Sequence, residues 1–348
     1  MDSKDDKLVC HHCKQEIKDV EYNIFTLNGK VYHGCHLPLK YRGTFRSDNY
    51  NKYCNKDNIF LKDNNTFEII KSKRTFGIEL ETSVVLKDND TLWCSKADCT
   101  VSGKEFVSPV LQGDNGIKEI KRFLDRTKCL CGGSTGYHLH IGTDDYSPIS
   151  LMKLSGIHLK LEEYFYELVS GDRYLNSWCY PLGNSYNFKQ YNSLDKRLRL
   201  MFGHNGISVK KPIKSIKEIK TNQTLWGRNN FNYCNSLCGE RRTMEVRLHH
   251  GTWDFKEIAN WIILNTAIVD YAKDNSNAVI RKRMSTINNR KDFLLFIEEL
   301  CSKDIAKFYA KQMIKYWGIN KKEVDYGRTE KRTRRITRRE PEYCQLAV

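Results

Sequence analysis

The sequence predicts a mixed α and β protein: a sheet with one apolar and one ionisable face, helices beside it, and a small metal-binding module in front. Three observations carry this. Three separate stretches alternate apolar and ionisable residues with the two-residue period of a strand. Several others repeat apolar residues at helical spacing. The N-terminal segment clusters Cys and His residues in pairs.

Residues 1–45 form the first unit. Cys10-x-x-Cys13 is followed some twenty residues on by Tyr32-His33-Gly34-Cys35-His36. This spacing suits a tetrahedral zinc site. Cys10, Cys13 and His33 are the expected ligands, with His36 or Cys35 as the fourth. It resembles half of a LIM-type finger in which the last Cys is displaced. So short a segment has little core of its own, so the zinc is expected to be structural. Residues 46–72 are polar and read as a linker, with one strand or short helix near Thr66–Ile70.

The main domain is expected over 73–320. It begins with Phe76–Glu81, F-G-I-E-L-E, where Phe76, Ile78 and Leu80 share one face and Glu79 and Glu81 the other. Carboxylates two residues apart on a strand lie roughly 7 Å apart. A divalent cation beside them would relieve their repulsion, and oxygen donors suit Mg or Mn. Asp98 follows in Trp93–Cys99, and Lys104–Leu111 adds Glu105, with Pro109 ending that strand. Gly116–Arg126 has helical period, with Asp114 or Asn115 as N-cap. Cys129 and Cys131 are two thiols, too few for a closed metal site, and read as structural. Tyr137–Ile141, Y-H-L-H-I, puts His138 and His140 on one face; metal ligation, phosphate contact and packing all remain open for the pair.

Pro148–Ser170 reads as a long buried helix closed by Gly171. Asp172–Leu182 is an aromatic-rich loop holding Arg173, and residues 183–222 a polar, basic loop. Leu225–Asn235 carries Arg228 and Asn232. Thr243–Asp254, T-M-E-V-R-L-H-H-G-T-W-D, is the third alternating strand. Met244, Val246 and Leu248 form its back, and Thr243, Glu245, Arg247 and His249 its front. Three charged or ionisable front positions in a row are expensive to desolvate unless they meet something. Asp254 and Glu257 begin a helix through Ala272. Amphipathic helices follow near 291–301 and 304–317. Residues 321–348 are a basic tail, and its stretch Arg328–Glu340 is expected to be solvated and disordered.

Composition narrows the function classes. Hydrophobic content of 40%, with 19 Tyr and 15 Phe, supports a real core. The charged start M-D-S-K-D-D-K is not a signal peptide, and no run is long enough for a membrane span. Thirteen scattered cysteines read as thiols and metal ligands rather than a disulfide framework, which places the protein in the cytoplasm. A net charge of +16 favours an anionic partner. The tail leaves nucleic acid open as that partner.

Assembled in order, the motifs resemble the amidoligase family of the carboxylate–amine ligase superfamily, related to glutamine synthetase and γ-glutamylcysteine synthetase. The resemblance rests on F-G-I-E-L-E, the Asp98 segment, E-F-V-S-P-V at Glu105–Val110 and G-Y-H-L-H-I at Gly136–Ile141. It continues through Arg173, Arg228 with Asn232, and T-M-E-V-R-L-H-H-G-T at Thr243–Thr252. It implies an α+β domain with a glutamine-synthetase-like antiparallel sheet funnel flanked by helices. It also implies an ATP-dependent ligase that activates a carboxylate as an acyl phosphate for attack by an amine. The substrates it allows are an amino acid, a peptide or a protein. By resemblance, Glu79, Glu81 and Glu245 hold Mg or Mn, with Glu105 as a further candidate, and Arg247 neutralises the transferring phosphoryl group. His138 or His140 contacts metal or phosphate, and Asp98 positions the incoming ammonium. Arg173, Arg228, Asn232 and His249 join Arg247 in binding the nucleotide or substrate.

No Gly-x4-Gly-Lys-Ser/Thr loop and no Gly-x-Gly-x-x-Gly fingerprint occurs, so a nucleotide site must be built from carboxylates and arginines. Two rivals remain open from sequence: a metal-dependent nuclease or nucleic-acid-binding zinc-finger protein, and an adaptor with a decayed ligase domain. The intact Glu79, Glu81, Glu245 and Arg247 argue against decay.

Overall fold

A computed structural model describes residues 24–27, 30–33 and 65–325, apart from 89, 91, 98–102, 134, 175, 177, 180, 183–228, 234–235 and 237–241. Its strands are β1 (Ile24–Leu27), β2 (Lys30–His33), β3 (Thr75–Glu81), β4 (Val84–Asp88), β5 (Cys94–Ala97) and β6 (Lys104–Val107). They continue with β7 (Leu111–Gln112), β8 (Thr127–Leu130), β9 (Gly136–Gly142), β10 (Phe231–Asn232) and β11 (Thr243–His250). Among the described residues there are seven α-helices. They are α1 (Gly113–Arg126), α2 (Pro148–Glu167), α3 (Phe255–Asp274), α4 (Asn277–Ser285), α5 (Arg290–Leu300), α6 (Lys303–Trp317) and α7 (Lys321–Val324).

The three alternating stretches are neighbours. The main sheet runs β10-β11-β9-β3-β6-β5, every adjacent pair antiparallel, with β7 also on β3. Register aligns their parities. Glu79 lies opposite His138, Glu81 opposite Glu105, Glu245 opposite His140 and Asn232 opposite Glu245. The ionisable residues therefore share one face. The other face carries Phe76, Ile78, Leu80, Phe106, Leu139, Ile141, Met244, Val246 and Phe231, all buried.

Helices cover that apolar face. Tyr137 reaches the carbonyl of Ile258 on α3 (3.5 Å), and Phe231 meets Phe165 of α2 edge to face (5.2 Å). A β-carbon at Gly116 of α1 would come within 2.8 Å of Phe76, so the helix lies directly on the sheet. Each large apolar side chain buried here contributes about 1.5–3 kcal/mol. The helix starts are capped. Ser147 accepts from Ser150 N (3.1 Å) with Pro148 in the first turn, and Asp254 accepts from Lys256 N (2.7 Å) and Glu257 N (3.2 Å).

The structure departs from the expected elements in several places. Residues 66–70 form neither strand nor helix. They are tied to Asp114, which does not cap its own helix. Its carboxylate accepts from Thr66 Oγ1 and from the amides of Glu68, Ile69 and Ile70 at 2.7–3.0 Å. Those bonds outweigh burial and hold the Asp114 carboxyl below the usual range. The long helix ends at Glu167, before Gly171, which opens a 3-10 turn through Arg173. Strands β4 and β8 pair into a separate two-stranded ribbon. Cys129 and Cys131 remain thiols, raised by burial to about 12 and about 11. No helix among the described residues is long and apolar enough to cross a membrane.

Candidate active site

The ionisable face gathers at its centre. His138 Nδ1 lies 3.3 Å from Glu79 Oε2 and 3.9 Å from Glu245 Oε1, and its Nε2 lies 3.7 Å from Glu81 Oε1. His140 Nε2 is 3.5 Å from Glu79 Oε1. Asn232 Nδ2 donates to Glu245 Oε2 (2.8 Å), while Arg247 Nη1 pairs with Glu245 Oε1. Arg247 Nε donates to the carbonyl of Trp178 (3.2 Å) and its amide to that of Asn230 (2.8 Å), so both backbone and side chain are fixed. Glu81 Oε2 accepts the amide of Gly136 (2.6 Å). Glu105 stands across the strand pair from Glu81 and is buried.

Charge is shared across this face. Burial pushes the Glu245 carboxyl up, but Arg247 first, then His140 and His138, outweigh it and hold it below the usual range. Burial likewise works against the Arg247 charge, and Glu245 and Glu79 more than restore it. Glu79, His140 and Glu245 each offer a ligand atom, and the three atoms lie within 4.8 Å of one another. Two carboxylates and an imidazole fit a divalent cation. The nitrogen donor tilts the set from Mg toward a transition metal such as Mn.

A family described as "putative amidoligase enzyme" matches residues 36–269, more than half of the chain. The chain belongs to the amidoligase family. No curated protein matches it. The matched span of this amidoligase-family chain encloses β3, β6, β9, β10 and β11, and so every front-face residue named above; α4 to α7 lie beyond it.

The structure does not bring every expected residue together. His249 was expected on the front but lies on the apolar side, edge-on to Tyr137 (5.3 Å) and Trp261 (4.9 Å). A bulge between Val246 and His249 breaks the alternation, so His249 pairs with Tyr137. Burial, with His250 beside it, keeps its imidazole well below its ordinary pKa and so neutral. Arg173 sits against β11 with its guanidinium on two backbone carbonyls. Asp98 and Arg228 lie outside the described residues, as do Cys10, Cys13, Cys35 and His36; of His33 only its backbone place in β2 is described.

Sequence reasoning missed Gly136 and Trp178. A β-carbon at Gly136 would stand 3.0 Å from His138 Nε2 and 3.4 Å from both Glu81 Oε2 and Arg173 Nη2. Three ionisable side chains crowd the one place the strand leaves bare. The only sequence signal was a glycine heading the Y-H-L-H-I strand. Trp178 acts through its carbonyl, which no side-chain pattern reports.

A second cluster, His249, His250 and Glu257, lies at the far end of β11. Glu257 already accepts from Thr252, Gln312, Lys315 and Tyr316, and His250 from the amide of Ser170. Glu257 thus ties α3 to α6, and the Tyr316 hydroxyl on α6 meets His250 Nε2 at the end of β11 (3.1 Å). The His250 imidazole first, then His249 and the Thr252 hydroxyl, hold the Glu257 carboxyl far below its usual range against the pull of burial.

Proposed function

We propose that this chain is an ATP-dependent carboxylate–amine ligase acting on an amino acid, peptide or protein. The observation that carries the reading is the convergence of Glu79, His140, Glu245, Arg247 and Asn232 on one face of three adjacent antiparallel strands plus β10. Family membership supports a ligase; the site chemistry supports the rest.

Glu79, Glu245 and His140 would hold a divalent cation, which would supply screening of the nucleotide's phosphate charge. A substrate carboxylate oxygen attacks the γ-phosphorus in line, and the bond to ADP breaks. Arg247 neutralises charge on the equatorial oxygens as the phosphoryl group moves, from a site preorganised by Glu245 and the Trp178 carbonyl. The amine then attacks the carbonyl carbon of the acyl phosphate. Phosphate leaves with the C–O electron pair, and the amine gives up a proton. Glu81 and Glu105, at the other end of the face, attract the amine as its ammonium, which gives one proton to a carboxylate there before its freed lone pair attacks. A buried imidazole, His138, separates the two ends.

The test is ATP turnover with Mg and with Mn, on pooled amino acids and peptides, in the wild type and Glu79→Gln. Phosphate release that needs both a carboxylate and an amine, and falls at least about 100-fold in the variant, is the expected result. Diphosphate release would replace the acyl phosphate with an adenylate. Metal-dependent cutting of nucleic acid without ATP, lost in the same variant, would overturn the ligase reading.

A further inference from the structure

Strand β11 carries one irregularity, and it lies inside the site. Val246 pairs with Leu139 and His249 with Tyr137, so Arg247 and Leu248 share the single opposite position, His138. An extra residue of this kind disrupts the ladder and leaves backbone groups without their regular partners. Buried carbonyls in that state need donors from elsewhere.

Arg173 supplies them to the same two residues. Its Nη2 donates to the carbonyl of Arg247 (2.8 Å) and its Nε to that of Leu248 (3.1 Å). The side chain is 2% exposed and enters from the 3-10 turn Gly171–Arg173 that follows α2. That turn is itself anchored on β11, since Ser170 donates its amide to His250 Nδ1 (3.2 Å). The rigid fork of a guanidinium suits two successive carbonyls, and a lysine has no equivalent. Two of its five N–H groups are committed in this way.

The bulge decides what the site contains. If the ladder continued regularly from Val246–Leu139, Leu248 would face Tyr137 and His249 would face Gly136. His249 would then share the front with His138 and Glu81, in the space where even a methyl group at Gly136 would crowd both. We propose that Arg173 is a positioning residue: its guanidinium pins the β11 bulge, holding Arg247 against Glu245 and keeping His249 out of the site. The catalytic consequence rests on the ligase reading; the pinning of the strand does not.

The test uses the full-length protein with Arg173→Met, which keeps much of the stem's volume, and Arg173→Lys, which offers one donor centre in place of the fork. The first readout is carbethoxylation of His249 by diethyl pyrocarbonate, located by mass spectrometry. His249 is protected in the wild type. In folded Arg173→Met its labelling rises at least about fivefold, with Arg173→Lys between the two. If Arg173→Met fails to fold, the Lys variant carries the same comparison. Unchanged protection of His249 in the folded variants overturns the proposal.

The second readout is turnover. Arg173→Met lowers kcat about 10- to 100-fold through a misplaced Arg247, while KM for ATP stays within about twofold. On an Arg247→Met background it adds no further loss, because the two act as one unit. A raised KM for ATP or additive losses would make Arg173 a direct substrate contact and overturn the positioning role. Labelling as expected with no turnover in the wild type would sink the ligase reading and leave the pin standing.

Discussion

Glu79 and Glu245 carry the same charge, but they stand differently in the fold. Glu245 neutralises the half-buried Arg247 and accepts from Asn232. Glu79 stands between two imidazoles, with the carboxylates Glu81 and Glu245 also around His138. Replacing Glu245 by Gln removes the guanidinium's nearest counter-charge, and breaking a buried pair from one side costs about 3–5 kcal/mol. Replacing Glu79 by Gln removes like-charge repulsion with Glu245 along with a weaker attraction to Arg247, and leaves groups that still hydrogen-bond. Urea unfolding is therefore expected to show Glu245→Gln clearly destabilised, and Glu79→Gln as stable as the wild type or more so. Both should lose turnover. Equal destabilisation of the two would mean that Glu79 is a structural partner rather than a functional charge. These carboxylates were legible because a charge at every second position of an otherwise apolar strand is a direct signal. Arg173 as a brace was not, because its partners are backbone carbonyls more than seventy positions away.

At the scale of elements, α2 couples to the sheet beside the site through His158. Its Nδ1 meets the hydroxyl of Tyr233 (2.6 Å), and its ring stacks on Phe231 (3.9 Å). Burial lowers its pKa to about 3. The sign follows from linkage: the unfolded chain takes up a proton below about pH 6.5, and the folded one does not until about pH 3. Stability is thus fully present above pH 6.5 and is lost as pH falls through that window. By pH 5 this one group costs about 2 kcal/mol. His158→Asn should be less stable at pH 7, through lost packing, yet its stability should fall about 2 kcal/mol less between pH 7 and pH 5. Parallel pH profiles for the two proteins would show that His158 titrates normally. The helix itself was readable from its periodicity, as were α3, α5 and α6. The residues 277–285 of α4 were not, because that helix buries only Ile280 and Met284 and so has no stripe to see. The 66–70 segment was misread because its conformation is set by Asp114, a contact across more than forty residues that local propensity cannot report.

For the molecule as a whole, the chain carries a net charge of +16, yet four carboxylates, Glu79, Glu81, Glu105 and Glu245, share one face of its sheet. Among the described residues helices close the opposite face, which leaves the carboxylate side for a ligand. On the ligase reading, ATP alone would meet that negative face, and a divalent cation alone would meet only part of a coordination shell at Glu79, His140 and Glu245. Together each removes the other's penalty, so their affinities should be coupled, and equally in both directions. Ligand bound only by the folded state at about 100 times its Kd adds about 2.7 kcal/mol, and a domain of this size shifts roughly 2–4 °C per kcal/mol. Thermal melts should therefore rise by several degrees with Mn and ATP together, by more than the sum of the separate shifts, and less with Mg in place of Mn. Glu79→Gln should remove the excess over the sum without lowering the unliganded melting point. Shifts that merely add in the wild type would mean that cation and nucleotide do not share this face, and the assignment of Glu79, His140 and Glu245 to the cation would fall with it.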